Sequence, residues 1–100
     1  MENQDLEKTA GLLAKNWGLE RPDTLDLESL RLALQVQLGF MLSGDFERLV
    51  QTMYRLDVSE SKFQAALLLT TVDERAMQLA NIVLDRELLR LQSWRKYSQG

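Results

Sequence analysis

The sequence predicts an all-α fold, a bundle of four to five helices ending in a long C-terminal one. Three observations point there. Leucine, glutamine, arginine, glutamate and alanine dominate, all good helix formers, while β-branched residues are sparse. Apolar residues recur at spacings of three and four along most of the chain. Helix start and stop signals, short polar caps and isolated glycines, divide the chain into segments of helical length.

The first helix is expected from Asn3 to Trp17, where Leu6, Ala10, Leu13 and Trp17 form one stripe. Gly18 supplies the left-handed residue that ends it. Glu20-Arg21-Pro22-Asp23 is a turn containing the single proline, and Asp23 or Thr24 is placed to cap the next helix. The second helix, about Leu25 to Leu42, needs arbitration, because Leu30, Leu32, Leu34, Val36, Leu38 and Phe40 alternate as a strand would. The segment is long for a strand, and Val36 is its only β-branched residue. As a helix it carries two apolar stripes, Leu27, Leu30, Leu34, Leu38 and Met41 on one and Leu32, Val36 and Phe40 on the other. Such a helix is either central to the bundle or covered by another subunit.

Ser43-Gly44-Asp45 interrupts the pattern, and Asp45 is read as the cap of a third helix reaching Leu56 with Phe46, Leu49, Val50 and Met53 inward. Asp57-Val58-Ser59-Glu60 has the spacing of a capping box, in which Asp57 bonds forward and Glu60 reaches back. It would open a fourth helix, Val58 to about Leu69, packing Phe63, Ala66 and Leu67. Thr71-Val72-Asp73-Glu74 repeats the arrangement before the last helix, Val72 to about Tyr97. There Ala76, Leu79, Ala80, Val83 and Leu84 face inward, extended by Leu88, Leu91 and Trp94. A helix of that length measures ~39 Å at 1.5 Å per residue, so its end is expected to project.

One hundred residues, 45% apolar and 27% charged, suit a single domain spanning 1–100. The net charge of −3 argues against nucleic acid as the main partner. Charge is unevenly placed: residues 1–28 hold seven acids and three bases, residues 86–97 four bases and one acid. That polarity follows the helix dipole and would equally steer one copy against another. No cysteine is present, which excludes disulfides and thiol chemistry, and no histidine, which removes the commonest general base and transition-metal ligand. The acidic, polar start Met1-Glu2-Asn3-Gln4-Asp5 is unlike a signal peptide, and no apolar run is long enough to span a bilayer. A cytoplasmic location is expected.

Catalytic signals are poor. The glycines do not form a phosphate-binding loop, and Ser61 and Lys62, as helix neighbours, point in different directions. The carboxylate pairs Asp57/Glu60 and Asp23/Asp26 fall at helix starts, where capping accounts for them. No catalytic, cofactor-binding or metal-ligating residue is therefore expected, and no cofactor. Arg86, Arg90 and Trp94 lie on one ridge of the last helix, followed by Arg95, Lys96 and Tyr97, and such a ridge could hold a nucleic-acid backbone with a base on the indole.

Two runs, Met53-Tyr54-Arg55-Leu56-Asp57-Val58-Ser59-Glu60 and Ala80-Asn81-Ile82-Val83-Leu84-Asp85-Arg86-Glu87, resemble small uncharacterised helical proteins of the Bacteroidetes lineage. The likeness covers the chain from Asp45 onward. It implies a cytoplasmic bacterial protein of no established activity, and assigns no site residues. The residues themselves favour a non-enzymatic protein–protein interaction module, working as a dimer of itself or with another protein. Leu32, Val36 and Phe40 would supply burial, and Arg86, Arg90 and Trp94 would set orientation. The alternatives are a bundle holding a small apolar ligand among Met41, Met53 and Met77, and weak nucleic-acid binding through the last helix.

Overall fold

The computed structural model describes residues 3–99, with side chains from Gln4 to Ser93. Five helices follow one another: α1 (Asn3–Trp17), α2 (Leu27–Gly44), α3 (Phe46–Arg55), α4 (Glu60–Leu67) and α5 (Val72–Gln99). No strand occurs among the described residues. The last helix has 28 residues, hence ~42 Å at 1.5 Å per residue, and the molecule's longest dimension is also 42 Å.

The ends of α1 are those expected. Its stripe of Leu6, Ala10, Leu13 and Trp17 is buried, and Gly18 takes φ +69°. The Gly18 amide donates to the Ala14 carbonyl at 3.0 Å, closing the last turn. Gln37 Nε2 then donates to the Trp17 carbonyl at 3.1 Å, fastening the end of α1 to α2. A forked ion pair between Arg21 and Glu7 folds the connecting segment back along α1.

The second helix begins two residues later than expected. Asp26, rather than Asp23 or Thr24, is the cap: its Oδ1 accepts from the Ser29 amide at 2.7 Å. That bond holds the Asp26 carboxyl below its ordinary pKa, since it favours the charged form. Leu30, Leu34, Leu38 and Met41 are buried as expected, but Leu27 sits at the exposed first turn.

Two further expectations are corrected around α3. Asp45 precedes α3 but makes no side-chain capping bond, and Phe46 is exposed, leaving the inward face to Leu49, Thr52 and Met53. Asp57 does not open α4. It closes α3 in the left-handed conformation at φ 58°, with its amide donating to the Tyr54 carbonyl and the Val58 amide to the Met53 carbonyl, each at 3.1 Å. This paired 5→2 and 6→1 pattern needs a left-handed residue after the helix, and aspartate tolerates it better than most. Ser59 is then the cap of the shorter α4, accepting from the Lys62 amide at 3.4 Å. Glu60 instead accepts from the Tyr54 hydroxyl and Gln64 Nε2, both at 3.3 Å.

At the start of α5 the expected box forms in a variant manner. The Glu74 amide donates to Thr71 Oγ1 at 3.1 Å, and that hydroxyl donates to Glu74 Oε1 at 3.1 Å. One continuous core results, in which α1, α2, α3 and α4 all contribute to a cluster with Leu79, Ala80, Val83 and Leu84 of α5. The small residues allow α2 and α5 to approach closely: a Cβ on Gly39 would lie 3.8 Å from that of Ala76.

Candidate functional site

Two surfaces carry the described residues among those singled out by the sequence, Leu32, Val36 and Phe40 on one and Arg86 and Arg90 on the other. The first is the outer face of α2. At 100° per residue, Leu32, Val36 and Phe40 lie opposite the buried Leu30, Leu34, Leu38 and Met41. They are 49%, 60% and 70% exposed. The only charged residues of α2, Glu28 and Arg31, are bonded to each other in its first turns. From Leu32 to Gly44 the helix carries no charge at all. An apolar row without charged residues is unusual on a surface exposed to water, where helices normally place charges outward.

The second surface is a groove of about 690 Å³ between α1 and α5. Lys8, Gly11 and Leu12 form its α1 side; Arg86, Arg90, Leu91 and Ser93 form its α5 side. Arg86 and Arg90 are thus brought together, one turn apart, as the sequence suggested. No residue of α2 lines this groove, so the apolar row and the arginines belong to different surfaces. Arg86 reaches beyond the groove to Asp57, with Nη2 3.5 Å from Oδ2. Trp94, and with it the side chains of Arg95, Lys96 and Tyr97, lies outside the side chains described.

Behind the groove lies a residue the sequence reading passed over. Glu87 is 1% exposed, and neither carboxylate oxygen has a hydrogen-bond partner among the described residues. The inward stripe of α5 runs through Glu87, while Leu88, expected there, is only half-buried. Burial pushes the Glu87 carboxyl above its ordinary pKa, against the opposing pull of Arg90 and Arg86. Its signal was visible in spacing, since Glu87 stands four residues after Val83 and four before Leu91. The α1 side of the groove, by contrast, carried only one signal, a glycine in mid-helix.

A second cleft, about 450 Å³, lies between the entry to α4 and the face of α5. Asp57, Lys62, Asp85 and Arg86 line it with mixed charge, which favours mutual neutralisation over selection of a charged ligand. The three methionines do not share one environment. Met41 and Met53 are core, whereas Met77 is 43% exposed. Among the described residues no group of three or more acidic side chains is placed to hold a metal ion, and no helix is long and apolar enough to cross a membrane.

Comparison with protein-family models, with curated proteins and with solved structures finds no match to this chain.

Proposed function

We propose that this chain is a non-enzymatic protein–protein interaction module that associates with a second copy of itself through the outer face of α2. The carrying observation is the exposed, charge-free row Leu32, Val36 and Phe40. Burying a large apolar side chain is worth ~1.5–3 kcal/mol, and in a two-fold dimer each residue of the row is buried twice. In this reading the apolar row alone forms the interface, since Arg86 and Arg90 line the groove between α1 and α5. The compartment in this reading is the bacterial cytoplasm, on the strength of the resemblance described above.

The row also suggests a geometry. Val36 is its midpoint, so an antiparallel two-fold pairing sets Val36 against Val36 and Leu32 against Phe40 of the other copy. Leu32 would then lie ~12 Å along the axis from its own equivalent, too far for a disulfide. The chain contains no cysteine, so single cysteines report contacts without interference. Under mild oxidation Val36→Cys is expected to form a covalent dimer with itself, and Leu32→Cys to cross-link with Phe40→Cys in a mixed sample. Gln51→Cys, at an exposed position on α3, sets the rate of random collision. Cross-linking along the row no faster than at Gln51→Cys would remove the proposal.

A further inference from the structure

The groove between α1 and α5 has features that the dimer reading leaves unused. Its lining includes three cations, Lys8, Arg86 and Arg90, in a protein whose net charge is −3. No acidic residue appears among the described residues lining it. Lys8 and Arg90 form no ion pair or hydrogen bond among the described residues, whereas Arg86 is already paired with Asp57 through Nη2 at 3.5 Å. The two cations without such a partner, Lys8 and Arg90, therefore point to an anion from outside the chain.

The floor is apolar, with Leu12 and Leu91 on opposite sides. Gly11 stands between them on α1, in the middle of a helix, where glycine is the least favourable residue after proline. Nothing in this chain lies within 4 Å of the position a Cβ would take there. No internal contact therefore requires the missing side chain; its effect is to widen the groove. Glu87 completes the setting. On α5 its azimuth falls between those of Arg90 and Leu91, and its unpartnered carboxyl is buried behind them.

We infer that this groove binds a single-chain amphipathic carboxylate, the carboxylate held by Arg90 and Lys8 and the alkyl chain laid over Gly11 between Leu12 and Leu91. A guanidinium offers a planar pair of donors that matches a carboxylate, and one flexible chain suits a narrow apolar floor. The volume lies within the ~300–1,000 Å³ of small-molecule sites. Because no α2 residue takes part, this inference and the proposed dimer stand or fall separately.

The test is a titration of the uniformly ¹⁵N-labelled chain with dodecanoate below its aggregation threshold, followed by amide NMR shifts, with dodecan-1-ol and acetate as comparisons. Saturable shifts at Lys8 to Leu12 and Arg86 to Ser93 are expected. Dodecanoate should bind about ten-fold more tightly than dodecan-1-ol, as one charge-assisted contact of ~1.5 kcal/mol requires, and more tightly than acetate, which lacks the chain that fills the apolar floor. Arg90→Gln and Lys8→Gln should each weaken it by a similar factor. Gly11→Leu, which fills the floor, should abolish binding while raising the thermal midpoint. Equal affinity for the alcohol, shifts confined to Leu32–Phe40, or no saturation at the groove would each overturn the assignment. Lys8 is exposed and its replacement leaves the core untouched, so that variant decides the matter if Gly11→Leu fails to fold.

Discussion

Replacing Val36 and Phe40 together by aspartate is expected to weaken self-association at least 100-fold while leaving the helical content unchanged. The two residues are 60% and 70% exposed in the single chain, so their loss removes little from its own core. The cost to α2 itself is confined to helix propensity, below ~0.7 kcal/mol per residue. Across a two-fold interface the change is larger. Each copy loses two apolar anchors, and four carboxylates then face one another in place of apolar contacts. A 100-fold change corresponds to ~2.7 kcal/mol, less than the transfer value of the two side chains on both copies. Circular dichroism should therefore overlay with that of the original chain, while the concentration dependence of the melting temperature, a signature of coupled association, disappears. Retained association in this variant would place the interface elsewhere.

The second large effect concerns Glu87. Its carboxyl is 1% exposed, both oxygens lack partners among the described residues, and burial raises its pKa in the folded state. The folded state then holds the proton more tightly than the unfolded chain does. Stability is consequently full below the unfolded-state pKa and falls as pH rises through the higher folded value, where the unfolded chain has already released the proton. Glu87→Gln should flatten this decline. Glu87→Met, which removes the unpaired polar group and keeps the volume, should stabilise the protein by about 1–3 kcal/mol at neutral pH. Urea unfolding across the pH range, carried out in the Val36→Asp/Phe40→Asp background to exclude association, measures both. Parallel pH profiles for Glu87 and its glutamine variant would show that the carboxylate is satisfied in solution.

The elements most legible in the sequence were those fixed by local chemistry. The limits of α1 follow from a four-residue stripe and a glycine that takes positive φ, and neither depends on distant parts of the chain. Where several caps compete, locality is not enough. Asp23, Thr24 and Asp26 are all suitable, and the Asp26–Ser29 bond fixes the start of α2. Asp57 shows the same ambiguity at a boundary shared by two helices. Its short carboxylate suits a helix start, yet its tolerance of the left-handed region is used to end α3, and capping passes to Ser59.

The two surfaces differ in the same way. The outer row of α2 was legible because its periodicity lies within one helix. Whether the chain covers it was not, since that depends on where the other helices settle; the structure leaves it open to solvent. The groove is less legible still. Its halves lie more than seventy residues apart, at Lys8–Leu12 and Arg86–Ser93, and only packing of α1 beside α5 joins them. Gly11 and Glu87 were the local traces of it, one a poor helix former in mid-helix and the other a charge within an apolar stripe.

Sedimentation equilibrium of the unaltered chain over a wide concentration range tests the central proposal most directly. Self-association through α2 requires a species of twice the 11.5 kDa chain mass that accumulates as concentration rises. A single species at 11.5 kDa throughout would contradict it, and would leave the exposed row on α2 without a second copy to cover it.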